Sequence, residues 1–129
     1  MKIEHLAIWV EDLEVMREFY LRYFDTSCGS RYENATKKFY SYFITFNEAG
    51  SRIELMHRPD IADNDGRRGF SRGLAHVAIT VGNENKVNAM IGQLRADGFE
   101  IIGEPRVTGD GYYEGVFLDP EGNVIELIA

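Results

Sequence analysis

A near-duplication of the chain limits its possible folds more than any other feature. Residues 3–10 overlay residues 74–81 at an offset of 71, which places His5 on His76. Residues 40–55 overlay 112–127 at an offset of 72, which places Gly50 on Gly122 and Ile53-Glu54-Leu55 on Ile125-Glu126-Leu127. Agreement at both ends of a half-chain is far less common by chance than similarity between two short strands. A repeat of this length marks two copies of one supersecondary unit. Each copy carries one histidine near its start and one glutamate near its end.

The two halves show the same order of patterns. Residues 5–10 are apolar and β-prone, a strand. Asp12 suits a helix N-cap, and Leu13, Met16, Phe19, Tyr20 and Tyr23 form the apolar stripe that follows. A weak strand is expected within 26–33, and the aromatic, β-branched residues 39–46 form another. Residues 47–50 turn the chain and residues 52–56 return it. In the second half the strand is 76–81. Val87, Met90, Ile91 and Leu94 mark a helix, with Gly98 at its C-cap. Residues 100–102 form a short strand. The hairpin 113–118 and 124–128 closes on the turn 119–123. Each module therefore reads strand–helix–strand–strand–strand. Module one is 1–57, a linker runs 58–73, and module two is 74–129, within a single domain.

Composition narrows the partners. The 129 residues are 44% hydrophobic and 27% charged, an ordinary globular balance. A formal charge of −7 disfavours nucleic acid and anionic membranes, both of which need facing positive charge. No apolar run approaches the ~20 residues of a membrane span. Cys28 is the only cysteine, so no disulfide forms within the chain. With no signal-like segment near the N-terminus, a cytoplasmic location is expected.

Strand alternation places His5 with Ala7 and Trp9, and Glu54 with Arg52, Met56 and Arg58. It places His76 with Ala78 and Thr80, and Glu126 with Val124 and Ile128. Taken singly, each histidine or glutamate reads as the surface residue of a half-exposed strand. Taken together, the repeated pairs read as ligands. A glutamate flanked by buried aliphatics needs a compensating charge, and a divalent metal supplies it. Two carboxylates and two neutral imidazoles leave coordination positions open, as a catalytic metal requires. His57 falls on the opposite face from Glu54 and stays outside the set. Cys28 reads as a small buried residue rather than a nucleophile. Tyr40, Tyr42, Phe43 and Phe46 read as core, with one face of their strand free to line a pocket. Arg67, Arg68 and Arg72 read as a solvated loop, and Gly109 and Gly111 fit no phosphate-loop pattern.

The His-leading strands, the run Phe117-Leu118-Asp119-Pro120-Glu121-Gly122-Asn123 and the closing Ile125-Glu126-Leu127 resemble the vicinal oxygen chelate superfamily. Glyoxalase I is its most similar branch, and bleomycin resistance-like proteins are another. The resemblance implies an α+β fold in which two paired βαβββ modules form an open curved sheet around a metal. It implies that His5, Glu54, His76 and Glu126 bind one divalent ion. Nickel or cobalt is favoured, with zinc and manganese also used in the superfamily. It implies a homodimer with shared sites. The activity implied is a lyase or isomerase of the lactoylglutathione lyase type, acting on a small hydroxy-carbonyl compound or thiohemiacetal. The resemblance also implies proton transfer through an enediolate, with Glu126 as the base and Glu54 as its counterpart.

Two positions depart from the bacterial glyoxalase I pattern. Trp9 stands where an arginine contacts glutathione, and Arg58 where an asparagine does. Both are expected to bind substrate. The indole suits a flatter, more apolar substrate end, and Arg58 suits a carboxylate or phosphate. Other readings stay open at this level. An epimerase would use the same proton abstraction but is expected to replace one ligand glutamate with glutamine. A thiol transferase or an extradiol dioxygenase would use a His-His-Glu set. A metal-free drug-binding protein would lack the ligand set.

Overall fold

A computed structural model describes residues 3–48, 50–63 and 66–129. Ala49 of the expected turn, Asn64 and Asp65 of the expected linker, and Met1 and Lys2 lie outside the described residues. The chain divides into two compact units, Met1–Asp63 and Asn64–Ala129. The boundary falls within the expected linker. Arg67 pairs with Glu100 at 2.8 Å, and Arg68 reaches Asn123 at 3.3 Å and Glu121 at 3.5 Å. These linker arginines, expected to be solvated, are tied to the second unit.

In the first unit, β1 (His5–Trp9) precedes α1 (Leu13–Tyr23), β2 (Thr26–Cys28), β3 (Tyr32–Asn34), β4 (Phe39–Phe46) and β5 (Arg52–His57). Asp12 caps α1, accepting from the amides of Glu14 and Val15 at 3.0 Å. The sheet order is β1-β5-β4-β2, with β3 also on β4. The expected weak strand is therefore two short segments, both antiparallel to β4. Met16, Phe19 and Tyr20 of α1 are buried, as are Ile44, Ile53 and Leu55 of the sheet it packs on. Tyr23, placed on the stripe by its spacing, is only half-buried.

The second unit runs β6 (Val77–Thr80), α2 (Glu84–Ala96), β7 (Ile101–Val107), β8 (Tyr113–Leu118) and β9 (Val124–Ile128), in sheet order β6-β9-β8-β7. Val87, Ile91 and Leu94 pack with Phe117, Ile125 and Leu127 as its core. Met90 is half-buried. Gly98, at φ +93°, closes α2 as expected. Its amide bonds to the Arg95 carbonyl at 3.1 Å, and the Phe99 amide to that of Leu94 at 3.0 Å, a Schellman motif. β7 is longer than expected. Gly103 and Pro105 read as breakers in sequence, but β7 lies at the sheet edge, where register shifts accommodate both. β6 is shorter than expected, and His76 precedes it.

The turn 119–123 is organised by a carboxylate. Asp119, 4% exposed, accepts from the amides of Glu121 (3.0 Å) and Asn123 (2.9 Å) and from Asn123 Nδ2 (2.7 Å). Burial raises its pKa above the ordinary aspartate value, against the pull of these bonds. The motif that carries the family resemblance is thus a structural element of the hairpin.

The registers also correct the overlay of the two halves. Phe43 faces Glu54, whereas Val116 faces Glu126. The glutamates are 72 residues apart and the residues facing them 73 apart. The β4–β5 turn carries one residue more than its counterpart, a difference the sequence overlay at a single offset concealed.

Candidate metal centre

β1 and β5 are parallel, with Ala7 beside Glu54. Ile53 and Leu55 point into the core under α1, so alternation turns Glu54 to the other face. His5, two residues before Ala7, reaches the same face. Its Nε2 lies 3.6 Å from Glu54 Oε2, with the glutamate side chain 16% and the histidine 35% exposed. His5 Nδ1 engages the Glu4 carboxylate, which also pairs with Arg52. The Phe43 ring meets the imidazole edge-on at 5.3 Å, and the Arg52 guanidinium sits 4.3 Å over that ring. Holding Nδ1 on a carboxylate fixes the imidazole and aims Nε2 at Glu54, the arrangement typical of a metal-ligating histidine. The bonds from His5 and then Arg52 hold the Glu4 carboxyl below its ordinary pKa. Glu4 was not legible as a site residue, because alternation puts neighbours of a strand residue on opposite faces.

The second unit repeats the construction. Ala78 pairs with Glu126 between β6 and β9, and Ile125 and Leu127 are fully buried on the α2 side. His76, two residues before Ala78, places Nε2 3.2 Å from Glu126 Oε2, with the glutamate 17% exposed. Burial raises the Glu126 pKa; His76 and Arg106 oppose the rise, while Glu114 and Asp110 add to it. Glu114 lies two residues from Val116 on β8, on the Glu126 face. It is 12% exposed and lies 3.4 Å from Arg106. It went unnoticed in the sequence because its counterpart in the first unit is Ser41: Ser41 faces Met56 as Glu114 faces Ile128.

Each pair offers an imidazole nitrogen and a largely covered carboxylate, donors that suit a divalent first-row ion. The structure brings His5 to Glu54 and His76 to Glu126. Among the described residues, no group of three or more His, Cys, Asp or Glu side chains gathers as a metal site.

The remaining candidates fall as follows. Trp9 shares the face of His5 and is 37% exposed. Arg58 lies 6.0 Å from the Trp9 ring, but both oxygens of Asp60 bind its guanidinium at 2.6 Å. That ion pair occupies the group expected to grip an anion. His57 bonds through Nδ1 to the Val10 carbonyl at 3.0 Å and stacks on Tyr40, a structural role on the α1 face. Cys28 is half-buried, and burial raises its thiol pKa, which disfavours the nucleophilic thiolate.

The model of the Glyoxalase/Bleomycin resistance protein/Dioxygenase superfamily matches residues 2–127. The chain belongs to that superfamily. A protein of Vibrio cholerae described as a probable lactoylglutathione lyase is 28% identical to this glyoxalase-superfamily chain over 130 residues, 98% of this chain and 89% of the relative. A glyoxalase family protein from Bacillus cereus superposes with a TM-score of 0.81 at 20% identity, covering 99% of this chain and 93% of that one. A variant of glyoxalase I from Zea mays superposes with a TM-score of 0.79 at 22% identity. That match covers 98% of this chain and 44% of the maize chain, so this chain spans less than half the maize protein's length. These likenesses establish the α+β glyoxalase fold, with a sheet and a helix in each unit and the expected βαβββ order extended by one short strand in the first. No helix among the described residues is long and apolar enough to cross a membrane.

Proposed function

We propose that this superfamily member is a metal-dependent lyase or isomerase of the glyoxalase I type. Its substrate is a small compound with two neighbouring oxygens, a hydroxy-carbonyl or its thiohemiacetal. The observation that carries the reading is the repeated pair. In each unit a histidine Nε2 lies 3.2–3.6 Å from a mostly covered glutamate, two residues before the alanine that faces that glutamate. The proposed ligands are His5, Glu54, His76 and Glu126. Nickel or cobalt is the preferred ion, and zinc or manganese the alternative. A homodimer with shared sites and a cytoplasmic location belong to the same proposal.

When bound, a divalent ion supplies Lewis acidity to the substrate's carbonyl. Glu126 is proposed as the base, the role the family resemblance gives it; burial raises its pKa above the ordinary glutamate value. It takes the proton from the carbon bearing the hydroxyl and delivers it to the neighbouring carbon, while the hydroxyl proton passes to the former carbonyl oxygen. Glu54 balances charge from the other half of the ligand set. His5, oriented through Glu4, presents Nε2. Support comes from the matched pairs, the superfamily and the Vibrio cholerae relative.

The test is elemental analysis of purified protein, followed by turnover of the methylglyoxal–glutathione hemithioacetal with nickel, cobalt, zinc and manganese in turn. Stoichiometric metal with activity lost in Glu126→Gln is the expected result. Protein that takes up none of these ions would overturn the reading and leave a metal-free binding protein in its place.

A further inference from the structure

The sheet face that carries His5 and Glu54 continues into a feature the metal set does not use. One pleat step along from Ala7 and Glu54, Trp9 of β1 faces Met56 of β5. Met56 faces Ser41 of β4, and Ser41 faces Tyr32 of β3. Four strands thus place Trp9, Met56, Ser41 and Tyr32 in one row on one face. Phe39, two residues from Ser41 on that face, links the ends of the row. Its ring lies 6.1 Å from Trp9 and 6.0 Å from Tyr32. Both end rings remain open to solvent, Trp9 37% and Tyr32 55% exposed.

Ser41 lies between them, 1% exposed, and its hydroxyl has no hydrogen-bond partner. Its burial keeps it from a ligand on this face, so what the row presents is its rings. The cation at this end is already neutralised, because Asp60 holds Arg58 through two bonds.

We propose that this row is the substrate's distal subsite, and that it takes a flat, uncharged aryl group rather than an anionic one. Trp9, Phe39 and Tyr32 pack against the ring edge-on or offset, the geometries aromatic pairs prefer. The polar atoms the row leaves open to a substituent on that ring are the indole N–H of Trp9 and the hydroxyl of Tyr32. The chelating oxygens lie one pleat step away, about 7 Å. This rests on the metal reading for the position of the polar end of the ligand.

Trp9 is the only tryptophan, so its fluorescence reports directly on this row. The probes are benzohydroxamate, an aryl compound with two neighbouring oxygens, and acetohydroxamate, which lacks the ring. Both are titrated into metal-loaded and metal-free protein, with calorimetry for affinity and Trp9 quenching for location. At least tenfold tighter binding of the aryl probe, with quenching of Trp9, is expected in the loaded protein. The preference persists, at lower affinity, without metal. Trp9→Ala and Tyr32→Ala each shrink the ratio between the probes. Equal affinity for the two probes would overturn the aryl subsite, as would quenching by glutathione alone. Aryl preference without any gain from metal would instead overturn the chelate reading and leave the subsite standing. Failure of both probes to bind, with metal and without it, would overturn both.

Discussion

Replacing Glu54 by leucine is expected to make the metal-free protein more stable and to abolish its response to metal. The Glu54 side chain is 16% exposed, and the His5 imidazole stands 3.6 Å from its carboxylate, too far for a good hydrogen bond. Partly burying such a group without full compensation costs about 1–3 kcal/mol. A leucine of similar size, set among Ala7, Phe43 and the His5 ring, removes that cost and buries hydrocarbon. A net gain of about 1–2 kcal/mol is expected. Unfolding entropy near ~2.1 cal/mol/K per residue makes 1 kcal/mol worth about 4 °C in Tm for a chain of this length. Metal-free Glu54→Leu should therefore melt about 4–8 °C above the parent. A metal at one hundred times its Kd stabilises the parent by about 2.7 kcal/mol, or about 10 °C. In the variant that shift should shrink to about 2 °C or less. Differential scanning calorimetry with and without nickel reads both numbers. A variant that melts lower without metal, yet keeps the full metal shift, would refute both the burial argument and the ligand assignment.

Three further outcomes follow from the packing and the charges. Gly115→Ala should lose about 1–3 kcal/mol in urea unfolding, because a Cβ there would lie 2.7 Å from Ile91 Cγ1 under α2. The Asp119 pKa is raised in the folded protein, so folding binds a proton that the unfolded chain releases. Its contribution is fully present below the ordinary value of 3.8 and is lost as pH rises through the raised value. The stability of the parent relative to Asp119→Asn should fall over that interval in chemical denaturation. Glu14 shows the opposite sign: the bond from Tyr42, then Arg17, lowers its pKa. Tyr42→Phe should raise the Glu14 pKa in an NMR titration, and an unchanged value would show that the 2.8 Å bond is not held in solution.

Much of the fold was legible because it depends on local periodicity. The period-two runs at Phe39–Phe46, Tyr113–Leu118 and Val124–Ile128 appear as strands with the expected limits. The stripes ending at Leu94 and Tyr23 appear as helices, capped where Asp12 and Gly98 indicated. Breakers misled where tertiary position overrode them. Gly103 and Pro105 shorten a strand on paper, but an edge strand needs neither the missing amide nor the missing Cβ. His5, Glu54, His76 and Glu126 were legible because duplication repeats them and alternation gives each a face. Glu4, Glu114 and Ser41 were not, since nothing local marks a residue that matters only through its partner on another strand. The Asp60 clamp on Arg58 was equally hidden, and it changes what that arginine can bind.

The sequence by itself determined that the chain is two copies of one module with a histidine and a glutamate at matching places, because duplication and the two-residue pleat are written in residue order. Tertiary structure alone decided that each histidine nitrogen comes within 3.2–3.6 Å of its glutamate, and that a row of rings with an unpaired hydroxyl continues the first of those faces. The physical reason is strand register. It depends on turn length and cross-strand packing, and a one-residue difference between two turns is enough to change which side chains meet.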